Sequence, residues 1–228
     1  MVILHIETST NVCSVAVSEH SGLLFSVSND EGMNHAALLS GFVDQALKFI
    51  KANNKKPDAV AVSSGPGSYT GLRIGVSTAK GLCYGLDIPL IAVSTPEIIA
   101  TGALKQINDH DLFLICPMID ARRMEVYSAF YNSRNEVFRN IMADIIDENS
   151  YSEILSRHKV YFTGNGAGKC KTTITHPNAV FIDDIAPLAE NMIPIATKAY
   201  TEKNFVDIAY FEPFYLKEFQ VTTPKKNL

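Results

Sequence analysis

Three short stretches hold residues whose types and spacing could do chemistry. Glu7-Thr8-Ser9-Thr10 sets a carboxylate beside three hydroxyls directly after an apolar run, a group able to hold phosphate oxygens or a hydrated cation. Gly65-Pro66-Gly67-Ser68 lies between a second apolar run and a helical pattern, so its backbone N–H groups would gather at the positive end of a helix, where anions bind. Gly164-Asn165-Gly166-Ala167-Gly168-Lys169 is a third turn able to cradle a ligand. Each also reads as a tight turn with no ligand. No Lys-Ser/Thr pair follows Gly67, so the second stretch is not the Walker nucleotide loop. Glu7, Thr8, Ser9, Gly65, Gly67, Ser68, Gly164 and Gly166 are therefore the candidate contacts for a nucleotide in a cleft.

The elements that must position these turns follow from periodicity. Residues 2–7, 12–18 and 23–28 read as a three-stranded meander, then 34–52 as a long helix. A strand at 59–63, a helix of about 70–85 and a strand at 90–93 form a crossover, so those strands should be parallel. Ser68 or Thr70 can cap that helix, and Gly85 should mark its end. Thr95-Pro96-Glu97 opens a short helix reaching about Gly102. After a polar hinge at 108–110 the outline repeats: strands at 112–119, 125–131 and 137–143, a short helix at 151–157, strands at 160–163 and 180–182, and a helix over 187–200. The reading is an α/β chain with two similar lobes, 1–105 and 106–220, and a flexible tail at 221–228. This outline resembles the duplicated actin, hexokinase and Hsp70-type (ASKHA, ribonuclease H-like) fold, with two mixed sheets flanked by helices. Fold by itself does not fix chemistry.

Two helices carry more apolar or smooth surface than one sheet needs. Leu38, Leu39, Phe42, Val43, Ala46, Leu47, Phe49 and Ile50 make a broad band on the helix at 34–52. Full burial of each large side chain is worth about 1.5–3 kcal/mol, so leaving part of the band wet forfeits several. In the helix at 70–85, Gly71, Gly75 and Gly81 each cost about 1 kcal/mol against alanine. Gly71, Gly75 and Ala79 form one stripe, and Thr78, Gly81 and Gly85 form another. One stripe can pack on the chain's own sheet; two point to a second neighbour. His35, Leu38, Leu39, Phe42, Gly71, Leu72, Arg73, Gly75, Val76 and Ala79 are the expected docking residues. His35 is expected at the surface or as a cap, since position 39 is leucine and no second ligand stands one turn on.

Composition narrows the function. With 228 residues, 46% of them hydrophobic, and a net charge of -4, the chain can bury an ordinary core and has no general attraction for nucleic acid. No membrane span and no basic leader stands at the start, so a cytoplasmic location is expected. Cys13, Cys83, Cys116 and Cys170 sit in apolar segments without C-x-x-C spacing and read as reduced core thiols. The histidines show no metal-ligand spacing either, so no metal site is expected from this chain alone.

Ile3 to Ser9, the run from Gly65 to Gly75, Ala79-Lys80-Gly81-Leu82, Asp120-Ala121-Arg122-Arg123 with Glu125-Val126-Tyr127, and Gly164-Asn165-Gly166 together resemble the TsaB (YeaZ) family. The resemblance spans most of the chain and is strongest in the first hundred residues. It implies a non-catalytic subunit for making threonylcarbamoyladenosine next to the tRNA anticodon. In that picture a heterodimer forms with the catalytic relative TsaD, the ATPase TsaE completes the complex, and tRNA is met only through it. A homodimer of the isolated chain is also compatible. TsaD chains carry a metal-binding His-x-x-x-His where Thr95 and Ile99 stand here, and isoleucine cannot ligate a metal. No cofactor is then required, with ATP or ADP at the interface or cleft left open. Two other readings compete: a glycoprotease-like metallopeptidase or nucleotide-hydrolysing enzyme of this fold, and a direct tRNA-binding module. The role of Arg122 and Arg123 stays open between a solvated hairpin tip and a partner contact.

Overall fold

The computed structural model describes residues 1–30, 32 and 34–217; the expected tail at 221–228 lies outside them. The first lobe begins with β1 (Val2–Glu7), β2 (Cys13–Glu19) and β3 (Gly22–Asn29), an antiparallel meander. Helix α1 (His35–Ala52) leads to β4 (Ala59–Gly65), α2 (Tyr69–Leu86) and β5 (Leu90–Ser94). β1 pairs parallel to β4 and β4 parallel to β5, giving the order β3-β2-β1-β4-β5. Helix α3 (Thr95–Leu104) then crosses to the second lobe.

The second lobe repeats the plan. β6 (Phe113–Asp120), β7 (Glu125–Asn132) and β8 (Val137–Ile145) form a meander. The short α4 (Ser152–Leu155) precedes β9 (Lys159–Thr163), and a three-residue 3-10 turn over 168–170 precedes β10 (Ala179–Phe181). β6, β9 and β10 run parallel, and the order β8-β7-β6-β9-β10 is that of the first sheet element for element. Two mixed five-stranded sheets with one topology make this the duplicated ASKHA-type fold.

Alternation along the strands decides which helix covers which face. Leu4 and Ile6 face a core closed by Leu39, Val43 and Ala46 of α1 and Val76, Ala79 and Cys83 of α2. Ile3, Ala59, Ala61 and Ile91 face the other way, against Ile98 of α3 and Ala196 of the C-terminal helix. Ile99, Ala100 and Ala103 of α3 also pack on Ile115, Ala129 and Tyr131 of the second sheet, so α3 is buried between the lobes. All four cysteines are free and buried. Among the described residues no helix is long and apolar enough to cross a membrane.

Two expectations need correction. The helix expected over 187–200 is extended at Leu188, makes a 3-10 turn over 189–192, and becomes α5 (Ile193–Thr201) only where Pro194 sits in the first turn. In the stretch expected to close the second lobe, Met192 and Ala196 pack on the first sheet and Val206 bridges to Leu90 of β5, while Lys217 pairs with Glu125 of β7. Gly85 does not end α2, which runs on to Leu86 and is closed by Asp87 in the left-handed region at φ 54°.

Candidate functional site

Glu7 ends β1 and Thr8 and Ser9 turn beneath the head of α2, all three fully buried. The turn and the glycine loop satisfy each other. Ser68 N–H donates to the Ser9 carbonyl at 2.6 Å, Thr8 Oγ1 donates to the Gly71 carbonyl at 2.8 Å, and Ser9 N–H donates to Glu7 Oε1 at 2.5 Å. Ser68 Oγ caps α2 by accepting from Gly71 N–H at 3.2 Å. A Cβ at Gly67 would strike the Ser9 carbonyl, and one at Gly71 the Thr8 carbonyl. Two of the loop donors, Ser68 N–H and Gly71 N–H, are thus taken up by the chain itself, by the Ser9 carbonyl and the Ser68 hydroxyl. A phosphate at these two donors would have to displace these bonds, which is costly.

Burial dominates the electrostatics of this region. It pushes the Glu7 carboxyl up to about 7, against the opposing hydrogen bonds from Ser9 and Ser63. It pulls the neighbouring His5 down to about 3 while His5 Nε2 and Ser18 Oγ share a hydrogen bond of 2.8 Å. Glu7 Oε2 and Ser9 Oγ have no partner among the described residues. Ser63, which supports Thr8 N–H from β4 at 3.4 Å, was not among the expected site residues. It stands at the end of an apolar strand and has no local signal.

Gly65 does not join the loop: a Cβ there would meet the Phe214 carbonyl at 2.5 Å, and Phe214 N–H donates to the Ser64 carbonyl at 2.7 Å. The segment carrying Phe214 is held further by Lys80 Nζ, which donates to the carbonyls of Ala209 and Phe211 at 3.2 and 3.0 Å. Its Tyr215 ring packs on Tyr69 at 4.9 Å. Gly164 and Gly166 instead close on the end of β6, with Gly166 N–H donating to the Met118 carbonyl at 2.9 Å. Asn165 Oδ1 accepts from Asp120 N–H at 3.0 Å, and Lys169 pairs with Asp120. Each glycine turn thus serves its own lobe. Arg122 and Arg123 form the β6–β7 tip, both exposed and both with positive φ.

Ile99 is buried in the core between α3 and the second sheet, and Thr95 is fully buried at the start of α3. Among the described residues no three His, Cys, Asp or Glu side chains come close enough together to hold a metal ion.

The expected docking residues divide in two. His35, Leu39, Gly71, Leu72, Gly75, Val76 and Ala79 are buried within this chain. His35 is neither a cap nor a surface residue, since its Nε2 bonds the Val12 carbonyl at 3.1 Å. Gly71 and Gly75 are glycine because Thr8 lies against them, with Thr8 Oγ1 where a Cβ on Gly75 would go. Leu38 and Phe42 are half-buried, and Arg73 is exposed with its guanidinium donating to Tyr69 Oη at 2.9 Å. The free stripe is the second one: Gly81 and Gly85 face open space, and Tyr84 beside them is 85% exposed. That exposed stripe of α2 with Tyr84, together with Leu38 and Phe42 of α1 and Leu82 of α2, which pack on the core and are only partly covered, is the candidate site. Its missing signal was simple, because spacing shows that two stripes exist but not which one meets β1.

The fold and this site define a two-lobed ASKHA-type protein whose glycine turns are closed on themselves and whose paired helices present a smooth face. A family model described as "TsaD: tRNA N6-adenosine threonylcarbamoyltransferase" matches residues 29–211. A tRNA threonylcarbamoyladenosine biosynthesis protein TsaB from Escherichia coli is 30% identical over 95% of both chains. Its namesake from Bacillus subtilis is 33% identical over 63% of this chain and 61% of its own. A crystal structure described as an uncharacterized protein with similarity to peptidase YEAZ from Pseudomonas aeruginosa superposes with a TM-score of 0.80, at 26% identity, over 95% of this chain and 99% of that one. The chain belongs to the TsaB (YeaZ) family, within the wider TsaD-type group.

Proposed function

We propose that the chain works as a non-catalytic subunit in tRNA threonylcarbamoyladenosine biosynthesis, docking a TsaD-type transferase through the outward face of α1 and α2. The observation that supports this most is the Gly81–Gly85 stripe, open beside an exposed Tyr84. Glycine in a helix interior costs about 1 kcal/mol, and no described residue packs against it there to offset that. A close-crossing helix from a related subunit would. A TsaE-type ATPase joins the assembly, and tRNA is met only through the complex. In isolation the same face supports a homodimer. The closed turns at Ser68 and Gly166 favour a chain that needs no nucleotide of its own. A peptidase reading gains nothing here, because Thr8 and Ser9 are fully buried.

Co-purification of the full chain with a TsaD-type subunit tests the docking. Gly81→Arg should fold normally and lose the partner, whereas an unchanged association would remove this face from consideration.

A further inference from the structure

Two lobes can turn about the element that joins them. Here that element is α3, whose Ile98 packs on the first sheet while Ile99, Ala100 and Ala103 pack on the second. A single axis leaves the angle between lobes free, and a second tie away from it fixes the angle. Residues 206–217 supply one. From Val206, whose N–H donates to the Leu90 carbonyl at 3.0 Å, the chain runs back along α2 to its head. Lys80 Nζ donates to the carbonyls of Ala209 and Phe211 on the way, Phe214 N–H donates to the Ser64 carbonyl, and the Tyr215 ring lies on Tyr69. The run is stiffened within itself, since Asp207 accepts from Ala209 N–H through Oδ1 and from Phe211 N–H through its carbonyl, both at 2.8 Å.

The hold on the second lobe is of a different kind. Lys217 pairs with Glu125 of β7, both partly open to solvent. Phe214, 45% exposed, lines an open cavity of about 330 Å³ together with Ala129, Val137 and Ile141 of the second sheet. An ion pair of that exposure is weak and screened by salt, and a side chain facing open space forgoes the contacts of a packed one. We propose that residues 206–217 are a strap that sets the angle between the lobes, tied firmly to the first and latched releasably on the second by the Lys217–Glu125 pair and Phe214. The cavity is the slack in that joint. Two-lobed proteins commonly close around a ligand; with the glycine turns closed on their own lobes, a segment of the chain itself takes that place.

Spin labels on the full chain at Lys51→Cys of α1 and Arg157→Cys just past α4, both exposed positions, read the angle as a distance by pulsed electron paramagnetic resonance, and the four native cysteines are buried away from the label. The labelled parent should give one narrow distance peak at low salt. Lys217→Glu, which sets two carboxylates together, should raise the fraction outside that peak about fivefold, the shift that about 1 kcal/mol produces. Lys217→Arg should keep the peak narrow, and Phe214→Ala should broaden it. Salt at about 1 M should broaden the parent towards Lys217→Glu. All these changes fall on exposed or half-exposed side chains, and unchanged circular dichroism would show the fold intact. Equally narrow peaks in the parent, Lys217→Glu and Phe214→Ala, a parent already as broad as Lys217→Glu at low salt, or broadening by Lys217→Arg as large as by Lys217→Glu would overturn the proposal.

Discussion

In the first lobe two eighteen-residue helices cover the sheet, whereas in the second a four-residue helix and a three-residue turn occupy the same positions in an identical strand order. The first lobe accordingly has a mainly aliphatic core under α1 and α2. The second fills the same space with rings: Phe162 lies 5.8 Å from Tyr151 and 5.2 Å from Phe181, and Phe130 lies 5.1 Å from Tyr151. A polar knot finishes the cover, with Asp144 accepting from Arg139, Ser128 and Tyr151. One topology therefore tolerates two ways of excluding water. Only the first leaves a broad helical face free for another molecule.

The sharpest break in this comparison is Gly71→Val. Its Cβ would collide with the Thr8 carbonyl, a backbone atom that cannot step aside, and a loss of about 4 kcal/mol or more is expected in a denaturant titration. Next is Arg139→Met in the second lobe, which strands Asp144 among the rings. Its expected cost is about 3 kcal/mol, measured the same way.

Glu7→Gln tests the first lobe through pH. The folded carboxyl titrates near 7 and the unfolded one near 4.5, so the folded state holds the extra proton and loses stability as pH rises through that window. His5 has the opposite sign, losing stability as pH falls from 6.5 towards 3, so the two slopes largely cancel between about 4.5 and 6.5. Comparison of Glu7→Gln with wild type isolates the first contribution. The variant should gain steadily from pH 5 to 8, by up to about 3 kcal/mol, and a constant difference would refute the assignment.

The smallest effect should come from Gly81→Ala. No described residue lies within 4 Å of the added Cβ, so about 1 kcal/mol of stability should be gained where a Cβ on the same helix at position 71 collides. Thermal melts of the pair would show whether the two stripes differ as described.

Much of this protein was legible in its residues. Alternating apolar strands, a proline-glycine turn and a serine cap fixed the crossover from β4 to β5, and the repeated meander announced the duplication. The motif at 65–75 and its companions placed the chain in its family. What one dimension could not hold was direction. Spacing defines two glycine stripes equally well, and only the position of Thr8 in space makes Gly71 and Gly75 interior and leaves Gly81 and Gly85 outside. The same holds for His35, drawn inward by the Val12 carbonyl, and for the return of Met192, Ala196, Val206 and Phe211 to the first lobe. Local sequence sets φ, ψ and periodicity, which are short-range quantities. Which face is buried is settled by partners many residues away, and that choice exists only once the chain has folded.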